Sequence, residues 1–333
     1  MASHATASPR TNHGGTVGPM RYRRLGGRGP EISVIGYGAW EIGGESYGPN
    51  PDESAVVRAL HAGFDAGINW VDTAEVYGMG RSESLVGKAL RTTDAEILVA
   101  TKVAPQPVGS GFEPARVRRA CERSLHRLRR ECIDLFQLHW LPEDESWPLE
   151  DTWGAMADLL RDGLVRAIGV SNFGRDEIEQ CLAIEHVDAL QPHFSMLHRE
   201  DDDLLAWCGE RGIGVLVYGP LAYGLLTGTL DMSSAFDASD WRSGSSPGHS
   251  YYREFFAPDR LQGHLELVER LRPIAARVGC TVGQLALAWT VHRPGVTSAI
   301  AGSRNPAHNR QNAEAGDLGL DDATLAEIDA LLG

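Results

Sequence analysis

Asp72 and Tyr77 stand five residues apart in Val71-Asp72-Thr73-Ala74-Glu75-Val76-Tyr77-Gly78. Ile68-Asn69-Trp70-Val71 reads as a short buried strand, Asp72 as its end, and Tyr77 as part of the loop that follows. Placed so, an acid and a phenol can face one cavity. Each alone is ordinary, because a strand-end aspartate shapes turns and a loop tyrosine packs half-buried. Two further residues change the balance. Only Lys88 and Lys102 are lysine, so 29 of the 31 basic residues are arginine. Lys88 falls on an amphipathic helix and reads as solvated. Lys102 ends the apolar run Ile97-Leu98-Val99-Ala100-Thr101, and an ammonium can lend a proton or act as a compact point charge, which a guanidinium cannot. His139 ends Ile133-Asp134-Leu135-Phe136-Gln137-Leu138. Together a phenol, an ammonium, a carboxylate and an imidazole suit the reduction of a carbonyl. Hydride added to the carbon leaves negative charge on oxygen, and a positioned acid must supply a proton. A tyrosine titrating near pH ~10 is a slow donor, and a neighbouring ammonium is expected to lower that value.

The rest of the chain must position these groups. The pattern predicts strands at 32–36, 68–72, 97–102, 133–139, 165–170, 189–191, 214–218 and 296–301. Helices are predicted at 52–66, 82–91, 114–129, 149–161, 175–184, 201–210, 262–278, 281–291, 306–314 and 321–332. Val56, Leu60 and Phe64 recur at i, i+4, i+8, a helix face, and Pro114 suits a first helical turn. Continuous apolar strands alternating with helices imply a parallel sheet buried on both faces. Eight such units fit a closed (β/α)8 TIM barrel in a single domain, with a long loop after strand 7 and further C-terminal helices. That loop, residues 222–262, is rich in Ser, Gly, Asp and aromatics, and so long a connection inside a compact domain is functional or disordered. We read it as a substrate loop. Residues 1–19 read as a disordered extension without the apolar core of a signal peptide, and residues 20–333 as the folded barrel.

In such a barrel the active site lies where the strands end. Those ends present Asp72 and Tyr77, Lys102, His139, Ser171 and Asn172, Gln191, and Tyr218. Neighbouring strands run about 4.8 Å apart, so Asp72, Lys102 and His139 are within mutual reach.

Composition narrows the alternatives. Across 333 residues the hydrophobic fraction is 42%, the charged fraction 23% and the formal net charge −14. That charge argues against a nucleic-acid partner or an anionic membrane surface, and no apolar run reaches the ~18 residues of a membrane span. Cys121, Cys132, Cys181, Cys208 and Cys280 are widely spaced, which suits reduced thiols in a cytoplasmic protein rather than disulfides or a zinc site. No metal is expected. The oligomeric state is left open.

Asp72-Thr73-Ala74-Glu75-Val76-Tyr77-Gly78, Ala100-Thr101-Lys102-Val103 and Asp134-Leu135-Phe136-Gln137-Leu138-His139 resemble motifs of the aldo-keto reductases. So do Gly163 through Phe173 and Ile300-Ala301-Gly302-Ser303-Arg304. The resemblance runs in order over residues 21–332. It implies a barrel using NADPH, or less often NADH, with Tyr77 as general acid/base, Asp72 and Lys102 tuning it, and His139 orienting the substrate. It also implies that Ser171, Asn172 and Gln191 hold the nicotinamide carboxamide and that Tyr218 stacks on its ring. Gly219, Pro220, Leu221, Gly224 and Leu226 resemble the segment along the pyrophosphate. Gly302, Ser303 and Arg304 fall where the family binds the adenosine 2′-phosphate, with Gln311 and Asn312 near the adenine. A hydroxyl and a guanidinium ahead of the helix begun by Asn305-Pro306 suit a phosphate. His308 and Gln311 depart from residues common in the family. Trp40, Tyr47, Trp140 and Trp241 are candidate substrate walls, suited to flat or apolar carbonyl compounds.

Three other readings compete. Gly36-Tyr37-Gly38 and Gly78-Met79-Gly80 are fragments of a dinucleotide fingerprint, but neither continues to a third glycine opening a helix. A relative of this family could instead serve as a cofactor-binding accessory subunit of a larger assembly with little turnover. A dedicated biosynthetic ketoreductase acting on a bulky sugar or natural-product intermediate is the third.

Overall fold

The computed structural model describes residues 20–44, 47–105, 112–142, 147–244 and 250–333; the predicted extension 1–19 lies outside them. The chain enters through a hairpin, β1 (Tyr22–Arg24) and β2 (Glu31–Ser33). Eight parallel strands then close a barrel: β3 (Ile35–Gly38), β4 (Trp70–Asp72), β5 (Leu98–Val103), β6 (Leu135–Leu138), β7 (Ile168–Ser171), β8 (Ala189–Gln191), β9 (Gly214–Tyr218) and β10 (Val296–Ile300). Strand β10 pairs with both β9 and β3, which shuts the cylinder. This is the (β/α)8 barrel that the alternation of strands and helices implied.

Local chemistry sets the helix limits. Asp52 accepts from the Ala55 amide at 2.9 Å and so begins Glu53–Phe64, whose Val56, Leu60 and Phe64 are buried. Thr281 and Gln284 form a reciprocal cap at the start of Val282–His292. The helix predicted over 262–278 begins earlier, at Pro258, because proline is pre-set for a first turn where its missing N–H costs nothing. Among the described residues no single helix is long and apolar enough to cross a membrane.

One expectation is corrected. The run Ile32-Ser33-Val34-Ile35-Gly36 is not one strand. The Ser33 hydroxyl donates to the Ile35 carbonyl at 2.6 Å, and the chain turns there from an antiparallel hairpin into the barrel. Leu25 and Ile32 of the hairpin are buried with Trp70, Ala100, Leu135, Ala189, Leu216 and Ile300, which fill the cylinder. The hairpin therefore stoppers the end of the barrel opposite the strand C-termini, each apolar side chain contributing about 1.5–3 kcal/mol.

At the other end the strands stop in register. Gly38 lies beside Asp72, Asp72 beside Ala100, Lys102 beside Gln137, and Ser171 beside Gln191. Closure between β10 and β3 needs a bare backbone, since a Cβ on Gly302 would lie 1.9 Å from the Gly38 carbonyl oxygen.

Candidate active site

Lys102 is fully buried and Asp72 is 3% exposed. The lysine Nζ donates to Asp72 Oδ2 at 2.6 Å, to the Thr73 carbonyl at 2.9 Å and to the Tyr77 hydroxyl at 3.3 Å. Gln191 Nε2 reaches across the barrel to Asp72 Oδ1 at 2.8 Å. Both carboxylate oxygens are thus engaged, as a charge in a low-dielectric interior requires. His139 meets the Tyr77 ring edge-on, with centroids 5.6 Å apart. The four groups picked out at the strand ends meet at one mouth of the cylinder.

The loop carrying Tyr77 is held from outside the barrel. Glu75 Oε1 accepts from the Ala104 amide and from Arg116, both at 3.2 Å. The Ser82 hydroxyl bridges Thr73 and the Ala39 carbonyl, at 2.8 and 2.7 Å. Gly78 takes a φ of +58°, and a Cβ there would strike the Gly43 carbonyl oxygen at 2.2 Å. Glu83, fully buried, accepts from Thr101 at 2.7 Å and from Arg127 at 2.5 Å. We did not single out Glu83 from the sequence; its signal is a carboxylate at the start of a helix three residues past Gly80.

Burial sets the electrostatics. It pushes the Tyr77 phenol well above its ordinary pKa, and the Asp72 carboxylate pushes the same way. This corrects the expectation that the ammonium would lower it. The Lys102 charge is largely offset by Asp72, and burial of the phenol in the barrel mouth disfavours its charged form. Burial pulls the Lys102 pKa down while Asp72 opposes the fall. Burial, then Lys102, takes His139 well below its usual value, so its imidazole is neutral.

These groups open on a cavity of about 1510 Å³. At one end it is lined by Asp72, Tyr77, His139 and Trp140, with Trp40, Tyr47 and Tyr252 around them. It continues past Ser171, Asn172, Gln191 and Tyr218, then along Gly219, Pro220, Leu221 and Gly224. The far end holds Gly302, Ser303, Arg304, His308, Gln311 and Asn312. Tyr218 lies parallel to His193, 17° and 5.1 Å apart, and its hydroxyl donates to Asn172 Oδ1 at 2.8 Å. Asn172 Nδ2 in turn donates to the His139 carbonyl at 3.0 Å.

Three predicted site residues sit otherwise than expected. Leu226 is fully buried in the core and absent from the cavity wall, where Tyr223, Gly224 and Thr227 stand instead, because this turn sends its leucines inward. Trp241 is also fully buried and forms a second layer, stacked on Trp40 at 6.5 Å and edge-on to Tyr47 at 6.2 Å. Arg304 borders the cavity, but its guanidinium turns to the backbone carbonyls of Glu41, Gly44, Tyr47 and Pro49. Glu41, Arg242 and Tyr252 line the cavity without having been assigned to it from sequence. For Tyr252 the signal was the aromatic content of the 222–262 segment.

The sequence profile of the Aldo/keto reductase family matches residues 34–332. This chain belongs to the aldo/keto reductase family. It is 32% identical over 321 residues to Bacillus subtilis (strain 168) aldo-keto reductase YhdN, covering 94% of each chain. It is 30% identical to the NADH-specific methylglyoxal reductase of Escherichia coli (strain K12), covering 91% of this chain and 96% of that one. An aldo-keto reductase from Klebsiella pneumoniae, solved in complex with NADPH, superposes with a TM-score of 0.71 at 31% identity, over 94% of this chain and 95% of the other.

Behind Tyr218 this reductase carries a stacked pair of histidines. His193 is 4% exposed and stacks on His198 at 4.4 Å. Burial, with His198 second, lowers its pKa from 6.5 to about 3. The unfolded chain therefore binds a proton that the folded chain refuses between those values. Stability from this residue is complete above pH ~6.5 and is lost as pH falls, by about 2 kcal/mol at pH 5. Thermal unfolding of His193→Gln is expected to show a shallower fall between pH 7 and 5 than the native protein. Parallel curves for the two proteins would contradict this.

Proposed function

We propose that this protein reduces the carbonyl of an aldehyde, ketone or keto-sugar to an alcohol, with NADPH as hydride donor and NADH as the alternative. The observation that carries the reading is the contact of Lys102 Nζ with Asp72 at 2.6 Å and Tyr77 at 3.3 Å on the wall of an elongated cavity. The far end of that cavity offers Ser303, Asn305, His308, Gln311 and Asn312, a set of small donors and acceptors suited to an adenosine moiety. The middle offers a tyrosine ring and bare backbone at Gly219 and Gly224, with φ of +71° and +107°. Those residues fit a dinucleotide stretched along the cleft.

Reduced nicotinamide, when bound, supplies a hydride to the carbonyl carbon. Tyr77 donates its hydroxyl to the carbonyl oxygen and transfers its proton as charge builds there. A phenol with a raised pKa still protonates an alkoxide, which is the far stronger base. Lys102 steadies the phenolate left behind, and Asp72 keeps that lysine charged within the barrel. The neutral His139 donates to the same carbonyl oxygen and fixes its direction. Ser171, Asn172 and Gln191 would hold the carboxamide, and Tyr218 would pack on the ring. Trp40, Tyr47, Trp140 and Tyr252 exclude water and favour flat, apolar carbonyl compounds. Its five cysteines, all free thiols, suit a reducing cytoplasm.

The test is turnover of NADPH and NADH against a panel of aldehydes, ketones and keto-sugars. Cofactor-dependent reduction is expected, strongest for aromatic and other apolar carbonyls. Cofactor binding with no turnover across the panel would count against the reading.

A further inference from the structure

Two walls of the substrate end, Trp40 and Tyr47, belong to the loop that leaves β3. Among its described residues that loop forms one helical turn, Glu41–Gly43. Tyr47 pairs with Asp240 of the loop after β9, and Trp40 stacks on Trp241. Arg81 donates to the carbonyls of Ile42 and Pro51, both at 3.1 Å. The densest hold comes from the opposite end of the cleft.

Arg304 follows β10 in the turn after Gly302, beside Ser303 and Asn305. Its Nε donates to the Glu41 carbonyl at 3.0 Å. Its Nη2 donates to the carbonyls of Glu41 at 2.6 Å and Gly44 at 3.4 Å, and its Nη1 to those of Tyr47 at 2.8 Å and Pro49 at 3.1 Å. A guanidinium has five N–H groups in one plane, and here five contacts to main-chain carbonyls use them. The turn bearing Arg304 is itself anchored, since the Ser303 carbonyl accepts from the Tyr37 hydroxyl and from Asn309 Nδ2, both at 2.9 Å.

We propose that Arg304 is a positioning residue for the substrate wall, holding Glu41, Gly44, Tyr47 and Pro49 so that Trp40 and Tyr47 close over Tyr77, and that it does not read the ribose 2′-phosphate. Such a phosphate would have to displace these carbonyls as acceptors of the Arg304 N–H groups. Discrimination between NADPH and NADH then falls to Ser303, Asn305 and His308, which are already linked: Ser303 Oγ and His308 Nδ1 are 3.3 Å apart, and Asn305 Nδ2 and His308 Nε2 3.4 Å. The substrate loop is thereby tied to the turn on which the adenosine end rests. This rests on the carbonyl-reductase reading above.

Arg304→Ala, Arg304→Lys and Ser303→Ala separate the two roles. Amide exchange over residues 41–50 is expected to quicken about tenfold in Arg304→Ala, and the KM for a carbonyl substrate to rise about ten- to a hundredfold with kcat changed little. Its affinities for NADPH and NADH, read from tryptophan quenching, are expected to keep their native ratio within about threefold. Arg304→Lys, with three rotatable donors, is expected to recover part of the exchange protection. Ser303→Ala is expected to alter the NADPH to NADH ratio and leave exchange over 41–50 as it was. A selective loss of NADPH affinity of about tenfold or more in Arg304→Ala, or unchanged exchange over 41–50, overturns the proposal. Exchange and cofactor titration need no turnover, so they decide on Arg304 even if every carbonyl fails as a substrate.

Discussion

Tyr77→Phe lowers carbonyl reduction by about a thousandfold or more, while NADPH still quenches tryptophan fluorescence with near-native affinity. The variant keeps the ring that packs against Trp40 at 6.2 Å and against His139 at 5.6 Å. What it deletes is the hydroxyl that accepts from Lys102 at 3.3 Å. Hydride transfer without a proton leaves an alkoxide beside an ammonium already paired with Asp72. The native enzyme should also hold its reduction rate on the alkaline side to about pH 10, because burial keeps the phenol protonated beyond its ordinary range. Native-like turnover by the phenylalanine variant would remove Tyr77 as the proton donor.

Lys102→Met destabilises the fold by about 3–5 kcal/mol and abolishes turnover, the former measured as a lowered urea midpoint at constant m. The side chain it replaces is wholly buried, and its loss leaves the Asp72 carboxylate with Gln191 as its remaining side-chain partner. An unpaired buried charge is the costliest state; a buried neutral amide beside a methionine costs less. The double variant Asp72→Asn, Lys102→Met should therefore regain most of the stability but none of the activity. A cycle in which the two changes simply add would show that the pair is not energetically coupled. Small losses in both single variants would show that the interior tolerates either charge alone.

Much of this site is legible before folding. The barrel strands are short and mostly apolar, and the last residue of each, with the loop just after it, sits at the rim of a closed parallel barrel. That is why Asp72, Lys102, His139, Ser171 and Gln191 were picked out by position alone. The scarcity of lysine added weight to Lys102. The first strand failed the same reading. Ile32 to Gly36 is apolar enough to run straight, and a single hydroxyl–carbonyl bond from Ser33 turns it. The chain's period of alternation was therefore right in number and displaced at its beginning.

Side-chain direction was harder to read. Leu226 and Trp241 belong to the segments expected around the cleft, yet both face inward, because in irregular turns no period tells which side of the backbone is dry. Arg304 was placed at the phosphate end on motif and neighbours. A guanidinium reaches several ångströms from its Cα, and its partners 41–49 are some 255 to 263 residues away in the chain. The same holds for the Tyr77 pKa, whose direction depends on how much water the folded wall excludes.

The amino-acid order alone determined which residues could bear chemistry, that eight strands alternate with helices, and at which end of them the reactive groups gather; all three follow from residue type, local periodicity and the place of the strand ends in a parallel barrel. Only the tertiary structure decided which donor meets which acceptor, that a hairpin stoppers the barrel, and that Arg304 donates to the carbonyls of Glu41, Gly44, Tyr47 and Pro49. Those outcomes depend on distances between segments remote in the chain, and on a dielectric that exists only once the core has closed.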